Sequence, residues 1–178
     1  PARYLALSSN PRIIKRLLGI RTLVADLMWI DLLIKADIRR TDEPFTDFYR
    51  AARAITTLDP AQYNVFYFAG LYLSVIKDDI KGATALLREG AQHILRSGLE
   101  HHPFSWKVFF ILGYNLIFEE LEISEGSEWI KKAGANELAP RYVRDLANRV
   151  STEQGRLQVA SRVLADLYRR LSTPEERI

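Results

Sequence analysis

Cysteine is absent from the 178 residues, which removes disulfides, thiolate metal sites and cysteine nucleophiles together. Glycine (nine) and proline (seven) are scarce and mostly punctuate apolar runs, a pattern that favours long helices over many short strands. No stretch of 18 uncharged apolar residues occurs, so nothing reads as a bilayer span. Gly-rich phosphate loops, nucleophile elbows and His–carboxylate motifs are all missing. The expectation is a protein that is not an enzyme and carries no cofactor. Negative charge is missing from the start of the chain: residues 1–25 hold five cations, and the first acid is Asp26. The chain opens on Pro1 rather than Met, as a trimmed or processed chain would, and a signal or anchor ahead of it is left open.

What is present is ordinary globular material, 48% hydrophobic and 26% charged, enough for one modest domain or one short array. The net charge of +3 comes from Arg more than Lys. A nucleic-acid binder would be more basic and would gather that charge on one face, so nucleic acid is not the expected partner.

The chain is organised around residues 63–103. An apolar helix there, with Ala69-Gly70 as a small contact point, is followed by a partner containing Gly82, Ala83, Ala85 and Gly90. Small residues at these offsets predict close helix packing. Lys77-Asp78-Asp79 between them reads as an exposed turn, since it lacks the ligand spacing of a calcium loop. His101 and His102 read as loop histidines. Adjacent side chains diverge and His93 lies eight residues back, so no metal site is expected.

Ahead of this unit, Asn10-Pro11 is a helix start. The segment 1–21 sets Ile13, Ile14, Leu17 and Leu18 against Arg12, Lys15, Arg16 and Arg21. It reads either as a basic amphipathic helix near a lipid or other anionic surface or as a capping helix with a solvated basic face. Thr22 to Arg40 is the longest expected helix, with Leu23, Leu27, Ile30, Ile34 and Ile38 stepping by three and four. Val24, Met28, Leu32 and Leu33 widen that stripe. Neighbours are therefore expected on more than one side, with Trp29 in the core. Phe45 to Leu58 is its antiparallel partner, turning Phe48, Ala52 and Ile55 inward.

After residue 103, a third hairpin sets Phe109, Leu112, Gly113 and Leu116 against Gly126, Ile130 and Ala133. Glu119, Glu120, Glu122 and Glu125 read as a solvated acidic turn. The last unit turns Ala160, Leu164 and Leu167 inward. Its remaining faces carry Arg156, Arg162, Arg169 and Arg170, interrupted by Asp145, Glu153 and Asp166. Residues 175–178 are a tail.

Pro60, Pro103, Pro140 and Pro174 are separated by 43, 37 and 34 residues, converging on the tetratricopeptide period. Phe109-x-x-Leu112-Gly113-x-x-Leu116 follows the first-helix signature of that repeat. Gly126, Ile130, Ala133 and Pro140 follow the second, and Phe66, Ala69-Gly70 and Leu73 repeat the first. The chain thus resembles a divergent tetratricopeptide-repeat protein over 22–174, in units 22–60, 61–103, 104–140 and 141–174. More narrowly, LGIRTLVADLMWIDLLIKADIRR is similar to the opening of bacterial tetratricopeptide proteins with an N-terminal membrane anchor. The resemblance implies an all-α, right-handed superhelical solenoid of antiparallel helix pairs, with three to four repeats and a leading helix. It also implies a non-catalytic scaffold that binds another protein or peptide in a groove, in a membrane-associated assembly of the bacterial envelope; a cytoplasmic site is the alternative. The groove-facing positions carry over to Asn64, Tyr67, Leu71 and Ser74 from the second unit and to Lys107, Phe110 and Tyr114 from the third. Arg12, Lys15, Arg16 and Arg21 are the candidates for an anionic surface. The competing functions are nucleic-acid binding through the Arg-rich faces and an enzyme with a site assembled from distant helices. Oligomeric state is left open.

Overall fold

The computed structural model describes residues 11–36 and 44–172, with side chains described for 19–36 and 44–169. Within these residues the chain forms eight helices and no strand. They are α1 (Pro11–Ile34), α2 (Asp47–Leu58), α3 (Tyr63–Tyr72), α4 (Ile80–Arg96), α5 (Ser105–Phe118), α6 (Ile123–Gly134), α7 (Arg141–Val150) and α8 (Glu153–Ser172). A π-helical turn, Leu73–Lys77, prolongs α3. The all-α expectation holds.

Helix α1 differs from the sequence reading in both extent and facing. It runs unbroken from Pro11 through the expected boundary at Arg21 and Thr22, because a single interior glycine such as Gly19 weakens a helix without ending it. It stops at Ile34; Ile38 lies outside the described residues. Its buried side is Ala25, with Trp29, Leu32 and Ala36 partly covered. Leu23, Leu27, Ile30 and Ile34 point the opposite way, each more than half exposed. Both sets step by three and four, so periodicity cannot choose between them. Packing can: the small side chain of Ala25 lets α1 settle on Ile55 and Val65. Two polar ties fix the same side. The Arg21 guanidinium donates to the Leu58 carbonyl at 2.7 Å, and Gln62 Nε2 donates to the Asp26 carboxylate at 2.6 Å. Among the described side chains, neighbours therefore cover one face of α1, not several.

Helix α2 starts at Thr46, whose hydroxyl accepts from the Tyr49 N–H, and it buries Phe48, Ala52 and Ile55 as expected. In the α3–α4 pair the glycines receive side chains rather than bringing two backbones together. A Cβ on Gly70 would stand 2.6 Å from Leu87 Cγ, and one on Gly90 2.6 Å from Phe66 Cγ. The α5–α6 pair does bring backbones together: a Cβ on Gly113 would lie 2.7 Å from the Gly126 carbonyl oxygen, and one on Gly126 2.8 Å from that of Gly113.

The turn before α4 is not the exposed loop expected. Asp78 takes the left-handed conformation (φ 63°) and turns the chain so that Asp79 caps α4. Asp79 is only 2% exposed. Its carboxylate accepts from the Gly82 N–H (2.8 Å) and also from the Phe45 (3.0 Å) and Thr46 (2.9 Å) N–H groups ahead of α2. One side chain thus satisfies orphan donors near the starts of two helices.

Helix α8 also faces differently. Val159 and Val163 are buried while Leu164 is 61% exposed, so the inward set is one residue out of step with the expected Ala160 and Leu164. Gly155 explains the phase. Its Cα lies so close to the Arg149 carbonyl that no side chain fits, and residues 155, 159 and 163 then share the buried side.

Each helix packs on the next, and α2 also touches α4, α3 touches α5 and α6 touches α8. Several of the ties between them recur at nearly the same chain separation. Asp26–Gln62, Arg53–Glu89 and Asn136–Glu100 span 36 residues, and Arg88–Glu125 spans 37. Arg88 and Glu89 are neighbours on α4, one reaching forward to α6 and the other back to α2. Glu125 is accordingly more than solvated surface: it takes Arg88 through both oxygens and accepts from Trp129 Nε1.

Candidate functional site

Two clefts open on the side of the molecule formed by α1, α3 and α5. The first, about 500 Å³, lies between α1 and α3 and is almost wholly apolar. Trp29 and Leu33 form one wall; Asn64, Phe68 and Leu71 form the other, and Val75 and Ile76 close its end. The second, about 370 Å³, lies between α3 and α5, where Leu71 and Val75 face Phe110, Ile111 and Tyr114. Leu71 and Val75 line both clefts, so the two form one trough with a low ridge between them. The π-helical turn produces that ridge. Its extra residue per turn rotates Val75 out to 57% exposure at the meeting point of the clefts.

The groove positions read from the sequence divide among three settings. Leu71, Ser74, Phe110 and Tyr114 share the α3–α5 cleft, and Asn64 joins Leu71 in the α1–α3 cleft. The Ser74 hydroxyl is already engaged, donating to the Gly70 carbonyl at 3.1 Å and lying 3.3 Å from that of Leu71. Tyr67 and Lys107 line neither of these clefts and sit beside each other. The Lys107 ammonium lies over the rings of Phe104 (4.5 Å), Tyr67 (5.3 Å) and Trp106 (5.8 Å), a cation held on an aromatic platform. Phe110 meets Tyr142 edge-on, and Tyr114 packs on Phe118. Arg21 is bound to the Leu58 carbonyl; the side chains of Arg12, Lys15 and Arg16 lie outside the described residues.

Sequence reasoning missed Trp29, Leu33, Phe68, Val75 and Asn115 as lining residues. Asn115 carried a usable signal: it is the polar member of the buried set Val108, Leu112 and Asn115. Outside both clefts, Tyr63 is buried between the rings of His93 (6.0 Å) and His102 (5.0 Å). Burial raises its phenol above the ordinary value of 10.0; a hydrogen bond with Ser97 opposes this and the Asp59 charge adds to it. Tyr49 is raised chiefly by burial as well. Among the described residues no three His, Cys, Asp or Glu side chains could hold a metal ion, and no helix is long and apolar enough to cross a membrane. What the trough offers is apolar area with a few polar contacts at fixed places. No family model matches this chain, and no curated protein or solved structure matches it either.

Proposed function

We propose that this chain is a non-catalytic interaction module, a divergent tetratricopeptide-type stack of helical hairpins that seats a segment of a partner protein along the α1–α3–α5 trough. The observation that carries the reading is the sharing of Leu71 and Val75 by the two clefts, which makes one elongated apolar surface instead of two isolated pockets. A long trough with aromatic walls suits a peptide or helix, whose anchors fall at regular intervals along it. The packing of each helix on those one or two places along the chain and the recurring ties at 36 and 37 residues support the repeat-stack reading, because equivalent positions of successive units are the ones joined. Lys107, held on its aromatic platform, sets a positive charge at the edge of the same side and favours partners with an acidic residue there.

The test is to pan a displayed random-peptide library on the purified chain and map the enriched peptides by hydrogen exchange. Protection of α3, the π-helical turn and α5, lost on Leu71→Asp in a variant that keeps its helical circular dichroism, is the expected result. Peptides that bind Leu71→Asp as well as the native chain would sink the trough as the docking site.

A further inference from the structure

We propose that the outward face of α1 is a self-association surface, on which two copies of the chain pack their α1 helices antiparallel about a two-fold axis. The proposal concerns a different face from the trough and does not depend on it.

Ile20, Leu23, Leu27, Ile30 and Ile34 step by three and four in strict alternation along α1, and each is more than half exposed. That alternation averages 3.5 residues, the spacing of a seam that meets another helix lengthwise. The side away from the seam is already in use: Ala25 is buried and Leu32 partly covered against the body of the chain. Met28 and Leu33 flank the seam and line clefts instead. With Val24, the five seam residues expose roughly 600 Å² of apolar surface, as much as the largest patch on an ordinary monomer. Two such faces together would bury roughly 1,200 Å², the area at which stable, specific interfaces begin.

The charges along α1 choose the occupant. The acids beside the seam are Asp26, which accepts from Gln62, and Asp31, so an anionic lipid surface would meet like charge there. A second α1 meets the opposite sign. Residues 11–21 carry four cations and no acid, whereas 26–35 carry two acids and one cation, Lys35, which pairs with Asp31. Parallel copies would set basic start on basic start. Antiparallel copies lay the basic start of one helix along the net-negative end of the other. The register that does so sets Leu23 against the second copy's Leu27 and Ile20 against its Ile30. Such a contact is isologous and closes at two chains.

The test is sedimentation equilibrium of the full chain. The native protein should be dimeric at about 100 µM, and Leu27→Asp should raise the dissociation constant about tenfold or more while keeping its helical circular dichroism. Leu157→Asp alters a comparably exposed leucine on α8 (62% against 58%) and should leave the dimer intact. A native chain that stays monomeric, or a dimer weakened by Leu157→Asp and not by Leu27→Asp, would overturn the proposal. Disulfides read the arrangement, since the chain has no cysteine of its own. Ile20→Cys chains mixed with Ile30→Cys chains should form the mixed disulfide, and Ile20→Cys alone should form none. A self-disulfide of Ile20→Cys, or no disulfide in the mixture, would overturn the antiparallel pairing. Vesicles of phosphatidylglycerol and phosphatidylcholine complete the test. A monomer that binds them, and loses them on Leu27→Asp, would assign this face to a lipid surface instead.

Discussion

Asp79 shows how much a single side chain can hold in this protein. Three backbone N–H groups converge on its carboxylate, two from before α2 and one from α4. Replacing it with Ala leaves all three without an acceptor in a buried position. Summing the loss of a cap with two further donors, Asp79→Ala should cost ~2–4 kcal/mol, read from urea or guanidinium unfolding midpoints. Asp79→Asn retains one acceptor oxygen and should fall between the two; a loss under ~1 kcal/mol for Ala would mean that water replaces the carboxylate readily. Half of this role was legible. An Asp before Ile80-Lys81-Gly82 is a capping residue by its place, but its bonds to Phe45 and Thr46 join positions 34 and 33 residues apart, which no local pattern carries. Asn115 was legible in the same partial way: its phase with Val108 and Leu112 marks it as buried, while its missing partner is visible only once α3 lies across from it.

At the scale of the helix, the two glycine-marked pairs should respond differently to the same kind of change. In α5–α6 the obstacle to a methyl group at Gly113 is the Gly126 carbonyl, a backbone atom that cannot turn aside. Gly113→Ala should therefore push the helices apart and cost about 1–3 kcal/mol, the usual penalty for overpacking. The matching change at Gly70 meets Leu87 at Cγ and its methyls, a side chain that can turn where a carbonyl cannot, and should cost less. Thermal unfolding of both variants checks the order, and an equal loss would contradict it. The sequence marked Gly113, Gly70 and their partners as contact points but could not say whether backbone or side chain would fill the space. It had the same difficulty with facing. In α1, two apolar stripes of equal period compete, and the buried one is chosen by Ala25 and the ties to Leu58 and Gln62. In α8, the contact of Gly155 with Arg149 shifts the inward set by one residue. Where one small residue decides the phase, counting apolar positions gives the helix and not its orientation.

Across the whole molecule, protection should follow position in the stack. The main core runs from Phe48 to Val143, and its fully buried large side chains are concentrated on α4 and α5. At the ends, among the described side chains, α1 fully buries Ala25 with Trp29 and Leu32 partly covered, and α8 buries Val159 and Val163. Native-state hydrogen exchange is expected to show the slowest amides in α4, α5 and α6, exchanging near the global unfolding limit, with α1 and α8 opening independently at lower cost. Uniform exchange from α1 to α8 would indicate one indivisible unit.

The ties at 36 and 37 residues bear on how the chain would answer a mechanical load. A pull applied at the two termini is resisted by helices one or two places apart in the chain, with Arg53–Glu89 and Arg88–Glu125 linking α2, α4 and α6 in series. The outermost helices would peel first. Each later yield would release the length of chain between one tie and the next, about 36 residues or on the order of 120 Å when fully extended. Tension would then lengthen the molecule by instalments, and slack would let each hairpin reseat on the neighbour still in place.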